Sequence, residues 1–194
     1  MKNSLADNSR KEKCMRWLYI NNDDNSMRFV LGLEKEKRFP EKSLLCIGVN
    51  PSTATPDQPD ATIRNVIKLA QNNGYDNFYM MNLYPQRARD YRSMDEEIDK
   101  EKHISNLNWF HNVIEGYRFL HNKGIDIWCA WGNMIEAREY LKETCLKDIY
   151  MIAKNNGCDF YSIGQVSIAG NPHHPLYIKS DTLKQPYDLS HYFS

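Results

Sequence analysis

The sequence predicts one α/β domain of three layers, with helices on both faces of a short, mainly parallel sheet. Three observations predict it. Four short runs rich in apolar residues, at 44–49, 78–83, 125–130 and 160–163, read as strands, and the first carries no charge, as a strand buried on both faces of a parallel sheet does. Segments of helical period lie between these runs, and alternation of strand and helix implies parallel pairing. Finally, 194 residues suffice for one substantial core and are few for two.

Taken in order, residues 1–13 are polar and charged and read as a flexible tail, leaving 14–194 as the domain. The runs 17–20 and 27–33 flank a turn-rich Asn-Asn-Asp-Asp-Asn-Ser and read as two strands at a sheet edge, followed by a solvated charged connection over 34–42. Run 44–49 ends abruptly, because Asn50, Pro51, Ser52, Thr53, Pro56 and Pro59 cannot continue a strand. Asp60 is placed to cap a helix whose buried face is Ile63, Val66, Ile67 and Ala70, and Gly74 stands where a terminating glycine belongs. The run 78–83 leads into Tyr84-Pro85 and a basic cluster, Arg87, Arg89 and Arg92. A long helix is expected over 95–122, with acidic residues at its start and a break near Lys102. The third strand runs into Trp131-Gly132-Asn133 and a helix bearing Ile135, Leu141 and Ile149; the fourth leads to His173-His174-Pro175. The tail, 178–194, reads as a loose helix or loop packing Tyr187, Tyr192 and Phe193 against the body.

Composition excludes several classes of function. Lys plus Arg equals Asp plus Glu at 25 each, so no general attraction to a phosphate backbone is expected, and nucleic-acid binding requires a local patch. Five cysteines, none in a C-x-x-C pair, argue against a disulfide frame or a cysteine-built metal site, and His103, His111 and His121 lack the spacing of metal ligands. No P-loop, G-x-G-x-x-G or H-E-x-x-H is present, so neither a cofactor nor a metal is expected. The absence of a signal peptide or an apolar span of about 20 residues points to the cytoplasm, with no membrane and no inferable protein partner.

Loops at the carboxyl ends of parallel strands converge on one edge, where open α/β sheets bind ligands. The residues so placed are Asn50, Pro51, Ser52, Thr53 and Asp60 after the first strand, and Asn82, Tyr84 and Arg87 after the second. Trp131 and Gly132 follow the third, and His173 and His174 the fourth. Structural roles compete for each: Asn50 and Asn82 as caps of strand ends, Trp131 as core, His174 as a ligand of its own loop.

The blocks Asn50-Pro-Ser-Thr-Ala54, Asp60-Ala-Thr-Ile-Arg64, Asn82-Leu-Tyr84 with Arg87-Ala88, Ala130-Trp-Gly132 and His174-Pro-Leu-Tyr177 occur in order. This pattern resembles a bacterial and phage family known only as a domain of unknown function, over about residues 28–178. His173 stands where that family commonly has arginine. More distantly the blocks are similar to the uracil-DNA glycosylase superfamily, in Gly48-Val-Asn-Pro51, Asn82, Trp131-Gly132 and His174-Pro-Leu176, although the serine of the last block and the Tyr-His or Gly after Pro51 are missing. That resemblance implies a glycosylase-like fold and hydrolysis of an N-glycosidic bond. His174 would donate to the leaving base, Asn50 orient a water, Asn82 read the base edge, Arg87 hold a phosphate, and Tyr84 or Trp131 stack on the base. The implied partner is a nucleobase, a nucleotide or single-stranded nucleic acid. The alternative is a non-catalytic module binding a nucleotide or modified base in the same crevice.

Overall fold

A computed structural model describes residues 15–35 and 42–193. The tail over 1–13, Cys14 and most of the charged connection lie outside the described residues. The elements are β1 (Met15–Asn21), β2 (Arg28–Lys35), β3 (Ser43–Gly48), α1 (Ala61–Asn72), β4 (Asn77–Asn82), α2 (Lys100–His121), β5 (Asp126–Cys129), α3 (Lys147–Asn155), β6 (Phe160–Ile163) and β7 (Lys184–Pro186).

The strands form one sheet in the order β1-β2-β4-β3-β5-β6-β7. β3 pairs in parallel with β4 and β5, and β5 with β6, whereas β1–β2, β2–β4 and β6–β7 are antiparallel. The sheet is therefore mixed and seven strands wide among the described residues, which corrects the short, mainly parallel sheet read from sequence. The cause lies at its two sides. Phe29, Val30, Leu31 and Leu33 are buried along β2 in the cores of both faces, and the strand lies inside the sheet, antiparallel to β1 and β4. At the other side β7 covers the edge that β6 would leave unpaired.

Alternation of side chains along the strands supplies two cores on opposite faces. On one, Leu45, Ile47, Met81, Ile127 and Cys129 pack with Phe110 and Ile114 of α2 and Ile149 of α3. On the other, Leu44, Cys46, Met80 and Trp128 pack with Ile63, Val66 and Leu69 of α1. Burial of each large apolar side chain contributes about 1.5–3 kcal/mol. The cap of α1 is as expected, with Asp60 accepting from the Ile63 amide at 2.8 Å, and Gly74 takes a left-handed φ of 79° just beyond the helix.

Three elements differ from expectation. Asp99 caps α2, so the helix starts at Lys100 and runs unbroken to His121. The segment after Trp131 is a 3-10 turn, Gly132–Ala137, and a π-helical turn, Leu141–Leu146, leads into α3. The tail carries β7 and a 3-10 turn, Ser190–Tyr192, rather than a loose helix or loop. Among the described residues no helix is long and apolar enough to cross a membrane.

Candidate functional site

A cavity of about 730 Å3 opens at the carboxyl ends of β3, β4 and β5. The chain leaves β3 through α1 to reach β4 on one side, then crosses back through α2 to β5 on the other. Reversal of direction opens a crevice there, because the connecting loops diverge from one another. Of the residues singled out in the sequence, Asn50, Ser52, Asp60, Asn82, Trp131 and Gly132 line this cavity, as do His173 and His174.

Asn50 follows β3, and its Nδ2 donates to the carbonyls of Ala88 (2.9 Å) and Pro51 (3.2 Å), which ties together the loops after β3 and β4. Its Oδ1 has no partner among the described residues. Ser52 donates to Asp60 Oδ2 at 2.6 Å, so the Asp60 carboxylate is occupied by its hydroxyl and by the cap of α1.

Asn82 ends β4 and is 1% exposed, yet neither Nδ2 nor Oδ1 has a hydrogen-bond partner among the described residues. Gly48 on β3 makes room for it, since a Cβ there would stand 2.9 Å from Asn82 Oδ1. An amide with both groups buried and unsatisfied costs free energy that nothing in the fold recovers.

His174 precedes the 3-10 turn Pro175–Tyr177, and its Nδ1 accepts from the Leu176 amide at 3.3 Å. A ring nitrogen that accepts carries no proton, so the neutral ring bears its proton on Nε2, which has no partner among the described residues and is not enclosed. Burial lowers the His174 pKa, against an opposing pull from Asp60, and so favours this neutral form. Gly132, at a φ of 62°, lets β5 turn under this ring, since a Cβ there would lie 3.3 Å from His174 Cβ. Trp131 is buried, and its Nε1 donates to Tyr192 Oη at 2.9 Å.

Four residues of the expected set lie elsewhere. Pro51 is buried in its loop and Thr53 faces solvent, neither on the cavity wall. Tyr84 is fully buried against Tyr140, with Oη donating to Asp95 at 2.7 Å, so it cannot stack on a ligand. Pro85 then turns the chain toward the β1–β2 connection, where the Arg87 amide meets Ser26 O at 2.8 Å and its guanidinium binds Tyr19 and Asn25. Arg89 and Arg92 remain at the cavity, the latter paired with Asp90 at 2.6 Å. The exposed aromatics on its wall are Tyr91 and Tyr177.

Arg28 is the residue that sequence reasoning missed. It opens β2, lines the cavity, and is 2% exposed. Its Nη1 donates to Ala54 O at 3.1 Å, and Nε is buried without a partner. Burial, then the charge of Arg87, lowers its pKa to about 10. The available signal was a cation opening a run that is uncharged through Leu33.

A second constellation has the connectivity of a nucleophile, base and orienting acid. Cys145 Sγ lies 3.6 Å from His103 Nδ1, and His103 Nε2 lies 2.9 Å from Asp148. Cys145 is fully buried, and burial, then Asp148, pushes its pKa up to about 12, so it holds α2 against the π-helical turn rather than attacking a substrate. Among the described residues no three His, Cys, Asp or Glu side chains are grouped to hold a metal ion.

No curated protein and no solved structure matches the chain. Residues 28–176, most of the sequence and the whole of the cavity's framework up to Leu176, match the family described as "Protein of unknown function (DUF1643)", and the chain belongs to that family.

Proposed function

We propose that the protein is a three-layer, uracil-DNA-glycosylase-like cytoplasmic enzyme that binds a nucleobase in this cavity and hydrolyses its N-glycosidic bond. The observation that carries this reading is the unpaired amide of Asn82 in the wall of the cavity. A donor and an acceptor side by side complement the edge of a nucleobase, and a ligand that satisfies both relieves their burial. Both atoms are enclosed in the wall, so the reading requires the amide to turn toward the cavity to meet a base.

In the reaction, the bond between C1′ and the base nitrogen breaks and its electron pair leaves with the base. Water adds to the oxocarbenium-like C1′, and the proton that it loses returns through solvent to the base anion. His174 Nε2–H is the donor aimed at that anion, and a neutral imidazole suffices because the site needs a hydrogen bond rather than a transferred charge. Asn50 Oδ1 accepts from the attacking water. An amide is no general base, and the Asp60 carboxylate is already engaged, so turnover is slow. That same engagement favours one second reading, a non-catalytic module that binds a nucleotide or modified base.

Base release separates the two. Free nucleotides and single-stranded or mispaired oligonucleotides carrying uracil, hypoxanthine or alkylated bases are incubated with the wild type and with His174→Ala at low salt. Release that disappears in the variant supports the hydrolase. Binding without release from any substrate transfers the weight to the module, and neither binding nor release refutes both.

A further inference from the structure

Arg28 is a cation without an ion pair among the described residues, opposed by the charge of Arg87 and only partly balanced by that of Asp60, which lies beyond ion-pair distance. The Arg28 side chain is 2% exposed, and no carboxylate pairs with it among the described residues. The acidic residues on the cavity wall have partners of their own: Asp60 accepts from Ser52 and the Ile63 amide, neutral donors that hold its carboxylate without cancelling its charge, and Asp90 pairs with Arg92. Removing a guanidinium from water is costly unless a counter-charge and hydrogen bonds replace the lost hydration. The Ala54 carbonyl takes one of its five N–H groups. Nη2 has no partner among the described residues and, unlike Nε, is not enclosed, so it is the face of the fork that remains reachable from the cavity.

We infer that Arg28 is the anion-binding residue of the cavity and that the ligand is a free nucleotide, a nucleoside monophosphate whose phosphate meets Arg28 while its base meets Asn82. The inference rests on the base-binding reading and narrows it. Guanidinium is suited to a phosphate because its planar N–H groups match two phosphate oxygens at once. Two observations favour a free nucleotide over a strand of nucleic acid. Arg28 sits in the buried wall, which a terminal phosphate monoester can reach as part of a small ligand; a phosphodiester would have to carry its neighbouring sugars into the same 730 Å3. The chain also balances 25 basic against 25 acidic residues and so offers no general attraction to a polyanion.

Calorimetry at low salt tests this on the full chain and on Arg28→Gln and Arg28→Lys. The probes are nucleoside 5′-monophosphates, the matching nucleosides, ribose 5-phosphate and a single-stranded oligonucleotide. The wild type is expected to bind a monophosphate about tenfold or more tighter than its nucleoside, the equivalent of one charge-assisted hydrogen bond. Arg28→Gln should erase that preference, so that monophosphate and nucleoside bind the variant alike, and Arg28→Lys should keep part of it. Equal affinity for nucleoside and monophosphate, a preference that survives in Arg28→Gln, or binding of the oligonucleotide alone would overturn the inference. Failure of the base-binding reading looks different: ribose 5-phosphate would bind as tightly as any monophosphate and still depend on Arg28. If Arg28→Gln does not fold, the wild-type comparison of monophosphate, nucleoside and oligonucleotide decides.

Discussion

Replacing Asn82 by leucine should make the protein more stable and unable to bind its ligand. Both polar atoms of the Asn82 side chain are buried without a partner, on a strand flanked by β2 and β3. Each unsatisfied group costs about 1–3 kcal/mol, and an apolar side chain of similar shape removes both costs. Against this, a leucine must fit beside Gly48 and the Met80 side chain, and overpacking costs about 1–3 kcal/mol. The balance is a gain of about 1–3 kcal/mol, seen as a rise in Tm of about 3–9 °C. Urea unfolding provides the assay, since a higher midpoint at unchanged slope reports native stability. Nucleoside binding, followed by calorimetry, should vanish in the same variant. A loss of more than about 1 kcal/mol would show that the amide is satisfied in the native state, and the reasoning that assigns it to a ligand would fail.

Other substitutions separate the wall of the cavity from its surroundings. Tyr84→Phe removes the hydrogen bond to Asp95 and should cost about 1–2 kcal/mol in urea unfolding while leaving ligand affinity unchanged; a loss of affinity would return Tyr84 to the site. Gly132→Ala forces a side chain onto a φ of 62° and against His174 Cβ, so it should cost about 1–2 kcal/mol and, in base-release assays, reduce the rate by more than that loss of folded protein explains. The folded pKa of His174 lies below its ordinary 6.5, so the unfolded chain binds the proton more readily. The stability that this contributes is complete above about pH 6.5 and is lost as pH falls through the lower folded value. His174→Asn should flatten that part of a stability profile measured by denaturation from pH 7 to 4.

Much of the site's framework was legible because chemistry changes sharply at the ends of the central strands. Apolar runs stopping at Asn50, Asn82 and Trp131 give both the strand and the loop that leaves its carboxyl end, and Asp60 announces α1 through its cap. The directions taken by Tyr84 and Arg87 were not legible, because they depend on how Pro85 turns the chain toward Ser26, a contact between segments 61 residues apart in sequence. β7 is three residues long and ends in proline, so no periodicity marks it. Arg28 was overlooked for a related reason: a single cation at a strand's start is usually a solvated one, and only its burial at 2% distinguishes it.

The supports of Asn82 and His174 differ in ways that hydrogen exchange should reveal. Asn82 belongs to β4, which is bonded on both sides, and its neighbour β3 lies at the centre of the sheet. His174 precedes a 3-10 turn that lies outside the sheet and is tied to α1 by Asn65 Nδ2, which donates to the carbonyls of Pro175 (2.6 Å) and Ile178 (2.8 Å). Amides of β3 and β4 should therefore exchange only when the whole molecule unfolds, whereas those around His174 exchange through smaller local openings. One wall of the cavity is thus expected to stay fixed until global unfolding and the other to open locally. A ligand bridging Asn82 and His174 would slow exchange chiefly on the side that opens locally, drawing two units of unequal cooperativity into one.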